Sequence, residues 1–291
     1  MKLLFTLFFA LITITVSAQA NFQGKAVYMS KTSMNSNFGG RQMSADQKKR
    51  MLDRMKGFLE KTFTLNFNKI ESTYKEEASL SAPAAGQGGR GGRGGRGGGF
   101  FGSGSGLKYK NSKDAIVLEE TEFFGKQFLI YENGSKPDWK LGGETKKIGN
   151  YICYKATLVK EIDPMSNIAS AFGRGRGGRG NNNNADTEKK EEKPKTMIVT
   201  AWYTPQIPVS QGPGEYWGLP GLILEVNAGT TTVLCTEITL NPKEKVTIKK
   251  PKKGKKVTRE EYNKIVKKKT NEMREQRGGR GGNRGGGRGR G

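Results

Sequence analysis

The chain has 291 residues and a formal net charge of +24, and it contains two cysteines and no histidine. The absence of histidine excludes Ser-His and Cys-His nucleophilic dyads and every histidine-containing zinc site. The large excess of positive charge predicts partners that carry negative charge.

The N-terminal residues have the features of a secretory signal. Lys2 precedes an uncharged apolar run, and Val16-Ser17-Ala18 presents the small side chains that a signal peptidase recognises. We expect residues 1–18 to be removed, with Ala20 as the other candidate end, and the protein to be exported, either to the periplasm or to the outer envelope and the exterior. The run is shorter than the ~20 apolar residues that span a membrane. We therefore predict no transmembrane segment after signal cleavage.

Three tracts are dominated by glycine, arginine, asparagine and charge. They cover residues 81–106, residues 161–195 and the RGG-repeat tail from Arg277 onward. Such low-complexity sequence has too little apolar surface to offset the entropy lost on ordering, so we expect it to be disordered. The rest predicts one domain over 19–241, interrupted by the first two tracts, and a basic C-terminal region over 242–291.

The remaining segments predict mainly strands, in the order of the chain. Phe63, Leu65 and Phe67 show the two-residue alternation of a half-buried strand. The other predicted strands are Phe22–Met29, Ala115–Glu120, Lys126–Glu132, Thr145–Lys160, Thr196–Thr204, Leu222–Val226 and Thr231–Leu240, with turn signals at Asn133-Gly134 and Gly142-Gly143. No long helices alternate with them, which favours a mainly β fold built on one antiparallel sheet.

Two peripheral helices are predicted beside this sheet. One begins at Ser44, a good N-cap residue, and the other runs from Thr258, where Thr258-Arg259-Glu260-Glu261 forms a capping box, to about residue 276. The apolar stripe of the second helix is thin, so we expect it to dock loosely.

The stretch Gly212–Val226, GPGEYWGLPGLILEV, concentrates turn residues and aromatics. Leu219-Pro220-Gly221-Leu222 predicts a type II turn, with Gly221 at positive φ, that leads into a core strand. An alternative is a functional groove lined by aromatic side chains, and a membrane-inserting tip is a third interpretation. The groove residues are Trp202, Tyr203, Tyr216 and Trp217.

These residues resemble the GLPGLI family of exported Bacteroidota proteins. The motif stands here as Gly218-Leu219-Pro220-Gly221-Leu222-Ile223, and the segments around it also fit the family pattern. They are Trp139–Leu141, Glu144–Lys146, Ile148-Gly149, Tyr151–Ala156, Ala201–Thr204, Ile207-Pro208 and Gly212-Pro213. The resemblance implies an exported, β-rich protein without an assigned reaction. Its strand order is similar to the curved open barrel of lipoprotein-carrier proteins, which is an analogy of fold alone.

No arrangement of residues predicts catalysis, a cofactor or a metal site. The acidic residues on the predicted strands, Glu119, Glu120, Glu122, Glu144 and Glu225, could in principle supply a carboxylate pair for a hydrolase, but their spacing selects no pair. We therefore expect a non-enzymatic protein. A carrier of an apolar ligand in a groove of the sheet is the first alternative, and a carboxylate hydrolase is the second.

Cys153 and Cys235 both lie within predicted strands. In an oxidising compartment two cysteines can form a disulfide, and two buried free thiols are the equal alternative.

Positive charge is concentrated in the tracts and in the C-terminal region. We expect the tail arginines to contact anionic polymers or lipopolysaccharide without recognising a nucleic-acid sequence, and other envelope proteins are further candidate partners. These arginines are Arg277, Arg280, Arg284, Arg288 and Arg290. The alternative for the internal tracts is that they are solvated loop tips without a role of their own.

Overall fold

The computed structural model describes residues 22–33, 44–77, 106–162 and 196–279. The predicted signal peptide, nearly all of both internal tracts and residues 280–291 lie outside these ranges. The predictions for four tail arginines, Arg280, Arg284, Arg288 and Arg290, also lie outside them, as does the side chain of Arg277.

The described residues form twelve strands and two helices. The strands are β1 Gln23–Thr32, β2 Glu60–Asn68, β3 Glu71–Glu76, β4 Lys108–Asn111, β5 Ile116–Phe123, β6 Lys126–Asn133, β7 Lys140–Ile148, β8 Tyr151–Glu161, β9 Thr196–Thr204, β10 Leu222–Ala228, β11 Thr231–Leu240 and β12 Lys255–Val257. The helices are α1 Ala45–Leu59 and α2 Arg259–Gly279. Neither described helix is long and apolar enough to cross a membrane.

All twelve strands belong to one open sheet in the order β12-β6-β5-β4-β3-β2-β1-β11-β10-β9-β8-β7. Every described pairing is antiparallel except that of β12 with β6, which is parallel. The mainly β fold predicted from the sequence is confirmed, and β12 makes the sheet mixed.

The main core packs against the central strands β2, β1, β11 and β10 of the sheet. Strand β1 pairs with β2 on one side and with β11 on the other. Tyr28, Leu65 and Phe67 are fully buried there. The hydroxyl of Tyr28 donates to the carbonyl oxygen of Ile223 on β10 at 2.7 Å, across the intervening β11. The sheet therefore curves around this core.

One predicted strand is in fact a hairpin. Thr145–Lys160 was predicted as continuous, but β7 and β8 are joined by a turn at Gly149 and Asn150, where Gly149 has φ 56°. The Gly142-Gly143 pair, predicted as a turn, lies within β7 at an irregularity of its pairing with β8. A glycine pair inside a strand often marks such a bulge.

Both helices begin where the sequence predicts. The side chain of Ser44 accepts from the amide of Gln47, and the side chain of Gln47 accepts from the amide of Ser44, which completes a capping box. The amide of Thr258 donates to the carboxylate of Glu261 at 3.0 Å. This contact satisfies an amide that precedes the first turn of α2.

The C-terminal residues 243–279, which we call the wrap, enclose the β6 edge of the sheet. Phe128 and Ile130 cluster with Val266 of α2, whereas Leu129 clusters with Ile248. Successive side chains of a strand point to opposite faces. The wrap therefore covers both faces of β6, and β12 covers its edge. The helix predicted to dock loosely is part of this packing.

Candidate functional site

The segment between β9 and β10, residues 205–221, forms a strap across the sheet. Its two ends join β9 and β10, yet its middle contacts β3 and β4, and four strands separate β10 from β4 in the sheet. Ile207 and Val209 are buried in the main core. The strap is thus a long, mostly buried segment packed against the sheet. The sequence predicted only a short turn at its end.

A buried lysine lies beneath the strap. Lys110 on β4 is 1% exposed, and its Nζ donates to the carbonyl oxygens of Gly212 at 2.5 Å and of Tyr216 at 3.5 Å. Burial lowers the pKa of this lysine to about 7, and the neighbouring charge of Lys108 acts in the same direction. At neutral pH the amine therefore exists in both protonation states.

Neutral hydrogen bonds fasten the strap at two further places. Gln211 is fully buried, its Oε1 accepts from the hydroxyl of Ser72 at 2.7 Å, and its Nε2 donates to the carbonyl oxygen of Ile70 at 3.1 Å. On the other side, Nε1 of Trp139 donates to the carbonyl oxygen of Trp217 at 2.8 Å. Each bond satisfies a polar group that would otherwise be costly to bury.

The predicted type II turn at Gly221 is wrong. The strap glycines at positive φ are Gly214 at 59° and Gly218 at 90°. The Gly221 amide donates to the carbonyl oxygen of Leu219 at 2.8 Å, which closes a three-residue turn. Glycine is required at 221 because a Cβ there would lie 2.2 Å from the carbonyl oxygen of Thr204. The constraint is a close backbone approach and not a left-handed conformation.

The four aromatic residues predicted to line a groove do not face one space. Trp202 packs with the main core and lies under the Nζ of Lys146, 4.4 Å from its ring centre. Tyr203, the next residue on β9, packs with Tyr216 in a second apolar cluster, which also contains Leu219 and Ile223. Neighbouring strand residues point to opposite faces, which explains the separation. Trp217 is 5% exposed and lies within the strap.

A network of ion pairs joins β4, β5 and β6 to α2. Arg259 donates to Glu119 and to Glu132, both at 2.6 Å, while Glu119 also lies 3.5 Å from Lys108. Burial acts to raise the pKa of Glu119, but the charges of Lys108 and Arg259 outweigh it and lower the pKa. A carboxyl group held ionised in this way is unsuited to act as a general acid.

Two further members of the predicted acidic pool are also paired with lysines. Glu225 lies 2.6 Å from Lys146, and Glu144 lies 2.7 Å from Lys155. Within the described ranges, no group of three or more potential metal ligands is found.

Cys153 and Cys235 are buried free thiols of the same core cluster. Burial is the main cause that raises the pKa of Cys153 to about 11 and that of Cys235 to about 12. Of the two alternatives left open by the sequence, the structure has the unpaired one.

The wrap carries the densest positive charge among the described residues. Between 243 and 256 its lysines are all exposed, and Glu244 is the single acidic residue in this stretch. These lysines are Lys243, Lys245, Lys249, Lys250, Lys252, Lys253, Lys255 and Lys256. No ion pair involves any of them within the described residues. Their backbone is held by Ile248 and by the buried Pro251 and Val257. The sequence predicted a basic C-terminal region over 242–291 but did not reveal these anchors.

A family model matches the part of the chain that contains the strap. Residues 139–225, from Trp139 through the strap to Glu225, match a family model described as "Protein of unknown function (Porph_ging)". This range contains β7, β8, β9 and most of β10. No curated protein matches the chain.

Two solved structures of PNGF-II are similar to this chain. The structure in the C2 space group has a TM-score of 0.45 and 12% sequence identity. The matched region covers 84% of this chain and 32% of the PNGF-II chain. The structure in the P21 space group has a TM-score of 0.44 and 13% sequence identity. Here the matched region covers 84% of this chain and 33% of the PNGF-II chain. The chain therefore spans about a third of the length of these structures.

Proposed function

We propose that this protein is an exported, non-enzymatic envelope protein of the GLPGLI type that binds polyanions through basic residues. The wrap and the Gly/Arg-rich tracts supply the positive charge, and the sheet serves as their scaffold. The partners are anionic polymers or lipopolysaccharide in the periplasm or at the outer surface. The observation that carries the proposal is the row of exposed lysines on the wrap, none of which forms an ion pair with another described residue.

The anchoring of the wrap supports this proposal energetically. A flexible lysine segment loses conformational entropy when it binds, whereas a segment already ordered loses less. Ile248, Pro251 and Val257 hold the backbone, so the lysines need to order only their side chains. Lysine acts as a point charge without the fork geometry of arginine, so recognition follows charge density and not shape.

Charge-neutralising variants of the full mature chain test this proposal. The wrap variant carries four substitutions, Lys249→Gln, Lys250→Gln, Lys252→Gln and Lys253→Gln. The matched control removes the same charge elsewhere through Lys25→Gln, Lys69→Gln, Lys75→Gln and Lys147→Gln, all at exposed positions. Affinity is measured for a short DNA duplex and for lipopolysaccharide between about 50 and 200 mM salt, where counterion release makes phosphate contacts salt-dependent.

We expect the wrap variant to bind at least about tenfold more weakly at the lower salt concentration, since several phosphate contacts are lost. The control should stay within about twofold of the wild type, because its four lysines lie on the sheet and its turns and leave the dense row of wrap lysines intact. Equal losses in both variants would show that net charge alone governs binding. Absence of binding by the wild type at low salt would refute polyanion binding altogether.

A further inference from the structure

We propose that Lys110 is a proton-controlled latch, which keeps the strap closed while its amine is neutral and favours release of the strap when the amine takes up a proton. The proposal concerns a regulated movement of residues 205–221 and does not depend on polyanion binding.

The first argument is the composition of the site around the amine. Lys110 is 1% exposed, and its Nζ contacts main-chain carbonyl oxygens of the strap. Within the described residues no carboxylate lies at ion-pair distance from it. A buried ammonium without a counter-charge is costly, whereas a neutral amine can donate to the same carbonyls at lower cost.

The acidic group whose charge acts on Lys110 is already paired with another lysine. Glu215 of the strap lies 2.5 Å from Lys160 on β8. Burial acts to raise the pKa of Glu215, but the charges of Lys160 and Lys108 outweigh it and hold the pKa below its ordinary value. Glu215 therefore stays ionised around neutral pH, and its attraction for Lys110 does not change with pH there.

The other groups around the amine do not titrate in the relevant range. Ser72 and Val117, the register partners of Lys110 on β3 and β5, are uncharged, as is Gln211 of the strap. Burial raises the pKa of Tyr216, which remains neutral. The more distant charges are Lys108 on β4, Glu119 on β5 and Arg259 on α2. Glu119 is paired with both of the basic residues. Lys110 is thus the group whose charge changes.

The direction of the effect follows from linkage. In the closed state the pKa of Lys110 is about 7, whereas an amine freed into water has an ordinary pKa of ~10.4. Between these values the open state binds the proton more tightly, so a fall in pH favours opening. In this window the ratio of closed to open molecules changes by up to about tenfold per pH unit.

The strap has the other features that such a movement needs. Gly214 and Gly218 adopt positive φ, a conformation that glycine enters and leaves without steric cost. The bonds of Gln211 and Trp139 are neutral and keep their strength at every pH in the window. Release of the strap would lift Leu219 away from Ile223 and the rest of the second apolar cluster.

Hydrogen exchange of the full chain tests the latch. Protection of the Gly218, Leu222 and Ile223 amides, which bond to strap carbonyls, is measured at pH 7.0 and 8.5 after correction for intrinsic exchange. We expect protection to be about tenfold higher at pH 8.5 in the wild type and unchanged between the two pH values in Lys110→Met. Lys75→Met, at an exposed lysine on the neighbouring β3, is the control and should behave as the wild type.

A second measurement on the wild type covers the case in which Lys110→Met does not fold. Acetylation of each lysine is quantified by mass spectrometry, and the rate at Lys110 is divided by the rate at Lys75. This ratio should fall about tenfold from pH 7.0 to 8.5, because labelling of Lys110 requires an open strap. A ratio that stays constant or rises, or strap protection that does not change with pH in the wild type, would overturn the latch. A pH response retained in folded Lys110→Met would do the same.

Discussion

Gly221 and Thr204 approach so closely that a Cβ on Gly221 would lie 2.2 Å from the Thr204 carbonyl oxygen and 2.5 Å from the carbonyl carbon. Both residues are buried, and the amide of the next residue, Leu222, donates to Ile207 of the strap. Neither backbone can move aside without disturbing the base of the strap.

Any side chain at 221 should therefore destabilise the protein. We expect Gly221→Ala to lower the free energy of unfolding by about 1–3 kcal/mol, as overpacking in a close-packed interior does. Gly221→Asn should cost at least as much, because the contact arises at Cβ and a tolerance of asparagine for positive φ gives no relief. Thermal unfolding measures both. The control is Gly143→Ala on β7, where a Cβ would meet no atom within 4 Å. An unchanged melting temperature in Gly221→Ala would contradict the close approach.

The two thiols should resist modification in the folded protein. Their raised pKa values, about 11 for Cys153 and about 12 for Cys235, mean that little thiolate exists at pH 8. Because the thiolate is the reactive form, we expect alkylation at least about a hundredfold slower than in denaturant. Without reductant, a disulfide reagent should detect both thiols after denaturation. Detection of none until a reductant is added would establish a disulfide instead.

Removal of the Arg259 guanidinium should loosen the wrap. Arg259 joins Glu119 and Glu132, and the Glu119 side chain is 14% exposed, so its charge would be left partly buried and less well paired. We expect Arg259→Met to cost about 1–2 kcal/mol, less than for a fully buried pair because Arg259 is partly solvated. Hydrogen exchange should become faster in α2 and β12. The control Lys269→Met removes the exposed pair with Glu272 and should change stability by less than about 0.5 kcal/mol.

Overall stability should also depend on Lys110 between pH 7 and 8.5. The folded pKa is lowered to about 7, so in this range the unfolded chain binds the proton more tightly and stability rises with pH. We expect the free energy of unfolding of the wild type to rise by about 1.5 kcal/mol relative to Lys110→Met over this range. Urea midpoints at pH 7.0 and 8.5 provide the comparison. Parallel changes in both proteins would show that Lys110 is not the titrating group.

The strands that the sequence predicts best are rich in aliphatic, aromatic and threonine residues. Thr196–Thr204 and Thr231–Leu240 were predicted with the bounds that β9 and β11 have. Strands β3, ESTYKE, and β4, KYKN, were missed because each has one aromatic residue and no aliphatic one. The strap buries Ser72 and Lys110, and the cluster with Leu118 and Leu129 buries Tyr109, so the burial depends on segments distant in the sequence.

The buried lysine was unpredictable for a related reason. Lysine is almost always exposed, so KYKN indicates a polar loop. Lys110 is buried because a segment about a hundred residues later in the chain crosses over it, at a sequence separation of 102 for its bond to Gly212. The N-cap at Ser44 and the capping box at Thr258, by contrast, depend on contacts three residues apart and were predicted correctly.

The parallel pairing of β12 with β6 limits the growth of the sheet. A strand edge without a partner can accept a strand from another molecule, and long apolar edges promote such association. The wrap places Lys255 and Lys256 on the outermost strand and covers Phe128 and Ile130 with α2. A chain that ends at Leu240 would present the bare edge of β6 together with an uncovered apolar cluster, so it should polymerise edge to edge. The basic C-terminal residues therefore keep a twelve-stranded sheet finite, whatever they bind.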